Sequence, residues 1–347
     1  MSEKGGTLYY PGFDYLRIIL ATTVAIGHAG IPMWVNSGNL AVQIFFAMSG
    51  WLIGGILLRS TPQDLPRFYF NRAARIWIPY FVAIALLMAA SLLKEAITAK
   101  WLEFFFYAST FVYDFFGAGK SGWPLDGTGN HFWSITAEEQ FYLLAPFLIT
   151  VMPPRIGRSI WFWLILAVLA NLSPYWNYFG SISLGVFAAV ARHRIGDWHA
   201  AAIAKTVLAA TGAALLAATY FGYVDYRIGG PLFSISLVLL LAQPGAHSPV
   251  AAFVGGVSYP MYLNHWIGVF MANAAFGYIG LRGSLPCQIA GVVISLAVSA
   301  LLYLLVDLQV RKNRDRYFTV LRGKIAAAIG LALVATGLVG GLIFGMT

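Results

Sequence analysis

The chain has 347 residues, of which 59% are hydrophobic and only 10% are charged, and its formal net charge is +9. So few charges cannot cover the surface of a soluble globule of this length, which excludes the water-soluble classes and indicates an α-helical integral membrane protein. The one cysteine, Cys287, excludes an internal disulfide framework and a metal site built from cysteines, and we expect no metal cofactor.

Apolar runs of bilayer length predict an all-α, polytopic bundle of about 10–11 transmembrane helices. They lie near residues 13–31, 40–58, 76–93, 132–152, 159–174, 176–191, 201–221, 229–242, 257–277, 287–306 and 325–344. The fifth and the eighth are the weakest of these spans. The start of the chain lacks the apolar core and cleavage site of a signal peptide, so we expect the first span to be retained.

The distribution of basic residues predicts the orientation. With a cytoplasmic N-terminus, the inner loops hold 14 Lys and Arg residues and the outer loops hold 5, as the positive-inside rule requires. The chain then divides into a short cytoplasmic N-terminus at 1–12, a membrane domain at 13–316, and a basic linker with an additional transmembrane helix at 317–347. Membrane lipids account for most of the positive charge, so we expect no nucleic-acid partner.

The first span carries two ionisable residues, Arg17 and His28. Eleven residues correspond to about 16 Å along one helix face, which places Arg17 near the cytoplasmic end and His28 well inside. The arginine can hold an anionic donor, and the imidazole can handle a proton. An arginine near a helix end is also a common snorkelling anchor, and an intramembrane histidine is often a packing group, so both interpretations stay open.

The next segments add three signals. Ser49 and Gly50 lie within a span, which is typical of a close helix crossing, although the hydroxyl can also face a cavity. Segment 59–75 is predicted to be a cytoplasmic loop that ends in two arginines spaced three apart, Arg72 and Arg75. The long outer segment 94–131 is predicted to begin with an interfacial amphipathic helix and to continue as a Gly-rich loop that can cover a site.

The most informative run begins at His131 and continues into an apolar helix. Here His131, Ser134, Glu138 and Phe141 recur at helical spacing and form one stripe that can face the bundle interior. Ionisable groups at membrane depth are costly and by default mark a site. Glu139 lies about 100° from Glu138, so the two carboxylates should have different neighbours.

A second aromatic run lies near residues 257–266. Tyr262, His265 and Trp266 share one face of the predicted helix, which fits either an aromatic belt at the membrane interface or part of a site.

Together these runs resemble the acyltransferase-3 family of membrane acyltransferases. The markers are Asp14-Tyr15-Leu16-Arg17 followed by His28, Phe45 to Trp51, Phe68 to Tyr80, His131 to Tyr142, and Ser258 to His265. The chain departs from the usual family pattern at Asn71, where arginine is frequent, at Trp51, where Phe or Tyr is usual, and at Thr136-Ala137. Some members carry a fused SGNH-type hydrolase domain, which we do not expect in this chain.

The resemblance implies a multi-pass enzyme of the bacterial inner membrane. Members are thought to move an acyl group, commonly acetyl, from cytoplasmic acyl-CoA to a hydroxyl of an extracytoplasmic carbohydrate such as exopolysaccharide or lipopolysaccharide. Such a hydroxyl needs a base, and we expect His28 to take its proton while Glu138 orients the imidazole or binds the acceptor. Direct transfer and an acyl-His28 intermediate both stay open.

The remaining expected roles concern binding. CoA phosphates would meet cations, and carbohydrate or a thioester oxyanion would meet polar side chains. The donor-binding candidates are Arg17, Arg72 and Arg75, and the substrate-binding candidates are Ser49, His131, Tyr262 and His265.

Two other classes of function remain. In a small transporter or flippase, Arg17, His28 and Glu138 would form a proton relay. That reading leaves the basic pair near residue 72 unexplained, and the sequence shows no inverted repeat. A non-catalytic scaffold for polysaccharide export would tolerate replacement of His28 and Glu138.

Overall fold

A computed structural model describes residues 9–173 and 177–345, and these residues form helices joined by short connections, with no β-strand among them. The predicted all-α polytopic fold is therefore confirmed. The helices in chain order are α1 (Pro11–His28), α2 (Ser37–Leu57), α3 (Leu65–Leu92), α4 (Ala99–Ser109), α5 (Tyr113–Phe116), α6 (Pro124–Gly127), α7 (Phe132–Pro146), α8 (Pro154–Gly157), α9 (Ile160–Leu172), α10 (Asn177–Ile195), α11 (Ala202–Tyr220), α12 (Tyr226–Leu241), α13 (Pro249–Gly277), α14 (Leu285–Leu302), α15 (Leu308–Tyr317) and α16 (Val320–Gly345).

Within the described residues, every predicted apolar run overlaps a helix, while residues 174 and 176 at the ends of two runs lie outside the described residues. Among these residues, five helical segments are long and apolar enough to cross a bilayer: Ser37–Leu57, Pro62–Leu92, Ala202–Tyr220, Leu285–Tyr317 and Val320–Ile343. The shorter apolar helices α9 and α12 correspond to the fifth and eighth predicted spans. These lengths agree with the relative weakness of those two spans in the sequence.

The chain forms two compact units, each built from two segments. Unit 1 comprises Met1–Gly55 and Ser159–Ala300, and unit 2 comprises Ile56–Arg158 and Leu301–Thr347. The predicted boundaries after residues 12 and 316 stay predictions.

Unit 1 depends on close packing between helix backbones. α1 packs along α13, and Gly50 on α2 contacts the carbonyl oxygen of Ile182 and the backbone of Gly185 on α10, where any β-carbon would collide. Gly268 on α13 meets the backbone of α14 in the same way. Small residues let helices approach closely where lipid gives no hydrophobic driving force, so these contacts fix the helices that carry the site.

Unit 2 contains α3, and segment 59–75, predicted to be a loop, is helical over most of its length. Its cytoplasmic location stays a prediction. Asp64 accepts hydrogen bonds from the backbone nitrogen and the hydroxyl of Thr61, at 2.9 and 2.8 Å, and Pro66 occupies the first turn of α3. A capping residue followed by a first-turn proline starts a helix. Arg72 and Arg75 therefore lie on a helix rather than in a loop.

The structure of segment 94–131 agrees more closely with the predicted helix followed by a Gly-rich loop. Residues 99–109 form α4, whose first turn is capped by the hydroxyl of Thr98 accepting from the backbone nitrogen of Trp101 at 3.1 Å. The Gly-rich part is irregular, with positive φ at Gly119, Gly122 and Gly127. Its Trp123 is only 3% exposed and donates to the carbonyl oxygen of Gly117 at 2.9 Å. The segment is thus anchored within unit 2.

Candidate active-site residues in each unit

The central feature of unit 1 is a pair of histidines on α1 and α13. His28 Nδ1 lies 2.7 Å from His265 Nε2, and the two rings stack with centroids 4.9 Å apart and planes 23° from parallel. His265 is 1% exposed, whereas the side chain of His28 is exposed. Local spacing could not predict this contact, because 237 positions separate the two residues.

The structure corrects the expected position of His28. It is the last residue of α1 rather than a residue well inside the helix, because the chain turns at Ala29 and Gly30, and Gly30 has a φ of +86°. An 18-residue helix spans about 27 Å, close to the thickness of a bilayer core. His28 therefore lies at the opposite end of α1 from Pro11.

The hydrogen-bond partners of this histidine pair determine which ring nitrogens carry a proton. His265 Nδ1 lies 3.0 Å from the carbonyl oxygen of Tyr262, which can only accept, so Nδ1 carries the proton. In the neutral imidazole, His265 Nε2 is then an acceptor, and His28 Nδ1 must donate to it. The lone pair of neutral His28 consequently resides on Nε2, the nitrogen that faces away from His265.

The second histidine is held rigidly. The backbone carbonyl of His265 accepts from Ser295 Oγ on α14 at 2.5 Å, and Ser295 Oγ also donates to Gly291 at 2.7 Å. Tyr262 is 5% exposed and its ring meets Phe45 edge to face at 6.1 Å. Since Tyr262, His265 and Trp266 are all buried, they form part of the interior and not an aromatic belt on the lipid surface.

Arg17 is held by a neighbouring carboxylate. Its Nη1 lies 2.8 Å from Asp14 Oδ1, one helical turn earlier, and Asp14 itself packs against Gly255 on α13. An ion pair at this spacing is a common helix-stabilising contact. The part of Arg17 in donor binding stays a prediction, and the pairing shows that its charge is already balanced within unit 1.

Ser49 lies half-buried on α2, one residue before Gly50. Because Gly50 makes the close backbone contact with α10, the helix-crossing interpretation of this Ser-Gly pair is confirmed. A role for Ser49 in substrate binding stays a prediction.

Trp51 belongs to a cluster near the end of α10. Arg192 lies over the Trp51 ring at 5.7 Å, donates to Tyr10 Oη at 2.9 Å, and donates to Asp197. That hydrogen bond lowers the pKa of the Asp197 carboxyl. His199 meets the same tryptophan ring edge to face at 5.2 Å, and burial lowers its pKa. The Trp51 ring therefore packs against two basic side chains, those of Arg192 and His199.

Unit 2 holds the two neighbouring carboxylates of α7, and they have different partners. Glu138 is half-buried and accepts a hydrogen bond from Tyr142 Oη, one turn later. Glu139 is 2% exposed and accepts from Trp77 Nε1 on α3 at 2.8 Å, while its Oε2 is buried without a hydrogen-bond partner. The expectation that the two side chains have different neighbours is confirmed.

The predicted donor-binding arginines are both on α3. Arg72 is half-buried and lies over the Tyr142 ring at 5.8 Å. It also interacts electrostatically with Glu138 and Arg75. Arg75 is exposed and faces Asp307, a buried carboxylate in the π-helical turn Tyr303–Asp307. Arg72 therefore lies close to the Glu138–Tyr142 pair.

His131 is the residue that precedes α7, at the mouth of the helix as expected. It is 4% exposed, and its Nδ1 donates to the carbonyl oxygen of Thr128 at 3.1 Å. Ser134 Oγ donates to the carbonyl oxygen of His131 at 3.1 Å. These contacts fix the ring, while a role in substrate binding stays a prediction.

Sequence reasoning missed the groups that anchor α7. Asp114 Oδ1 accepts from Thr136 Oγ1 at 2.9 Å and from Gln140 Nε2 at 2.8 Å. Gln140 also donates to the carbonyl oxygen of Phe111 at 2.7 Å. The i,i+4 spacing of Thr136 and Gln140 predicts a shared polar face, but Asp114 lies on the four-residue helix α5, which is too short for periodicity to give a signal.

Comparisons with known proteins assign the family. The family described as "Acyltransferase domain" matches residues 10–304 of this chain. The chain belongs to this family. The resemblance stated from the sequence is thus confirmed, and the protein is a membrane acyltransferase.

Individual relatives are distant but align over most of the chain. It is 24% identical to a Komagataeibacter xylinus protein provisionally named membrane-bound transacylase BcsY, over 92% of this chain and 89% of the relative. It is 26% identical to O-acetyltransferase OatA of Staphylococcus aureus strain NCTC 8325, over 94% of this chain. The match spans 62% of OatA. No solved structure matches this chain.

Proposed function

We propose that this acyltransferase moves an acyl group, most simply acetyl, from cytoplasmic acyl-CoA to a hydroxyl of an extracytoplasmic carbohydrate, in a bacterial inner membrane with its N-terminus in the cytoplasm. The name of OatA, an O-acetyltransferase, supports a hydroxyl acceptor and an acetyl group. The basic residues of the predicted inner loops support the orientation.

The ordered histidine pair is the observation that carries this proposal. A carbohydrate hydroxyl is a poor nucleophile until a base removes its proton. His28 offers Nε2 as that base, and His265 accepts from its Nδ1 and keeps the ring in one tautomer. The exposed side chain of His28 gives substrate access, while buried His265 acts as a positioning residue.

The proposed reaction balances with these groups. The hydroxyl oxygen bonds to the acyl carbon as its proton moves to His28 Nε2. The carbon–sulfur bond then breaks, and the leaving CoA thiolate receives the proton from His28. This sequence describes direct transfer. With an acyl-His28 intermediate, the same nitrogen would attack the thioester first.

The remaining site residues are assigned by their chemistry. Arg72 and Arg75 bind phosphates of the donor, because guanidinium groups pair with phosphate in two-pronged hydrogen bonds. Glu138 and its hydrogen-bond donor Tyr142 act in unit 2, where Glu138 binds the acceptor hydroxyl or tunes a neighbouring base. Ser49, His131 and Tyr262 position carbohydrate or an oxyanion.

A two-part experiment tests the function. Purified protein in detergent is incubated with acetyl-CoA and an oligosaccharide acceptor, and free CoA thiol and acetylated product are measured together. We expect both to appear in equal amounts and to require His28. Substrate-dependent proton movement across the bilayer of proteoliposomes, without thiol release, would favour the transporter or flippase. Mass spectrometry of surface glycans from cells with and without the protein then identifies the acceptor.

Sidedness is tested by labelling introduced cysteines. Gln63 and Ser121 are both exposed, and Cys287 is buried and can be replaced by alanine. A membrane-impermeant maleimide applied to intact cells should label the Ser121→Cys variant but not the Gln63→Cys variant, which should react only after lysis. The reverse pattern would invert the protein and place the proposed donor site outside.

A further inference from the structure

Three arginines of unit 2 lie close together, and none of them has a carboxylate within ion-pair distance in the described residues. They are Arg72 and Arg75 on α3 and Arg314 on α15. In the part of the chain that the structure describes, none of their side chains forms a hydrogen bond or an ion pair, although ion pairs occur elsewhere in it. Nothing in the sequence indicated Arg314, which lies 239 positions beyond Arg75 in a segment rich in basic residues.

Contacts between α3 and α15 bring these residues together. Arg67 Nη2 donates to Asp315 Oδ1 at 2.9 Å, and the Arg67 guanidinium lies over the Phe318 ring at 5.0 Å. The same ring meets Phe70 edge to face at 5.6 Å. These contacts hold α15 beside the first turns of α3, so Arg314 faces the arginines that follow on that helix.

The charges in this cluster oppose one another. Arg72 interacts with the positive charges of Arg75 and Arg314 and with the negative charge of Glu138. Arg314 interacts with the negative charge of Asp315 and with the positive charges of Arg75 and Arg67. Arg314 Nε is buried with no hydrogen-bond partner. Asp315 is engaged by Arg67. Neighbouring like charges that no carboxylate contacts through a hydrogen bond are unfavourable, and an anion that accepts from several guanidinium groups would relieve that cost.

We propose that Arg72, Arg75 and Arg314 together bind a phosphate group that carries more than one negative charge. Under the proposed function this group belongs to the nucleotide end of acyl-CoA, and Arg314 supplies a binding residue that the family motifs do not contain. A phospholipid headgroup offers the same phosphate chemistry from a different source. A phosphate suits three guanidinium groups better than a carboxylate does, because it offers three strong acceptor oxygens and a larger negative charge.

The test measures CoA binding by calorimetry, with the full-length protein in phosphatidylcholine nanodiscs. Arg314→Gln should weaken CoA affinity about tenfold or more, since one charge-assisted hydrogen-bonding group is lost. Arg314→Lys should lie between Gln and wild type because it keeps the charge but not the forked geometry. Arg316→Gln is the matched control: it removes the same charge from an exposed position on α15 and should change affinity less than twofold.

Inorganic pyrophosphate and an anionic lipid separate the sources. If CoA binds, pyrophosphate should compete with it in wild type and should do so less effectively in Arg314→Gln. Equal losses in Arg314→Gln and Arg316→Gln would overturn the three-arginine site while leaving the CoA donor intact. If CoA does not bind, but native mass spectrometry shows phosphatidylglycerol retained by wild type and lost by Arg314→Gln, the site stands and the proposed donor fails. No binding of either would overturn both.

Discussion

The histidine pair of unit 1 and the arginine cluster of unit 2 differ in the hydrogen bonds that their side chains form within the protein. His28 and His265 satisfy each other by a 2.7 Å hydrogen bond, and Tyr262 and Ser295 fix the second ring and its backbone. Among the described residues, the side chains of Arg72, Arg75 and Arg314 form no hydrogen bond or ion pair. A neutral pair of histidines joined by a hydrogen bond can move a proton in a defined direction, whereas a cluster of cations can bind an anion. Damage to the pair should therefore lower the rate, and damage to the cluster should weaken binding.

The largest expected effect comes from removing the base. His28→Ala should lower acyl transfer by at least about 10²-fold, because general-base assistance is lost, while CoA affinity stays within about twofold. The measurement is release of CoA thiol in parallel with calorimetric binding. His193→Ala, which removes an exposed histidine on α10, is the control and should retain full activity. Near-normal transfer by His28→Ala would remove His28 from the mechanism.

The two carboxylates of α7 provide the second prediction. Glu138→Gln should lower transfer by about 10²-fold, as expected for a carboxyl group that takes part in proton transfer or acceptor binding. Glu139→Gln should be milder, since the amide oxygen still accepts from Trp77 Nε1. Both variants are compared by the rate of acetylated product formation after their thermal stability is shown to match wild type. A greater loss in Glu139→Gln would make the buried carboxylate the functional one.

A smaller effect is expected at the positioning histidine. His265→Gln can still offer an acceptor to His28 Nδ1 and should lose about tenfold in rate, whereas His265→Leu should approach the His28→Ala value. The pH dependence of transfer separates positioning from simple packing. Loss of the acceptor should alter the apparent pKa of the rate profile in His265→Leu more than in His265→Gln. Identical profiles would reduce His265 to a structural residue.

The spacing of residues along the chain predicted those features of the site that depend on a single helix. The divergence of Glu138 and Glu139 follows from the 100° step of an α-helix, and the helix at 99–109 follows from its aromatic periodicity. The contact between His28 and His265 does not follow from local spacing, because it depends on how α1 packs along α13. The same holds for Arg314, whose place beside α3 depends on Asp315 and Phe318.

The error at segment 59–75 has a local cause. Its arginines and its position between two apolar runs indicated a loop, but Thr61, Asp64 and Pro66 form a helix start that was legible in the sequence. α1 ends earlier than the predicted first span, which also changed the interpretation of His28. Since His28 closes the helix, the proposed chemistry takes place at the far end of α1 rather than midway along it.

The smallest effect concerns a histidine that should not take part in proton transfer. His199 is 1% exposed, its Nε2 lies 3.0 Å from the carbonyl oxygen of Ala242, and burial lowers its pKa. The unfolded chain therefore binds a proton at this residue more readily than the folded protein does. The contribution of His199 to the free energy of unfolding should be fully present above the usual histidine pKa of about 6.5 and should decrease as the pH drops below that value.

His199→Gln should remove that acid sensitivity without changing the pH profile of acyl transfer. In wild type, we expect the thermal unfolding midpoint followed by tryptophan fluorescence to fall by a few degrees, roughly 2–4 °C, between pH 7.5 and pH 5.5. The variant should show a smaller fall. If its transfer profile shifted instead, His199 would belong with the proton-handling pair, and the contrast between reactive and packing histidines in unit 1 would be lost.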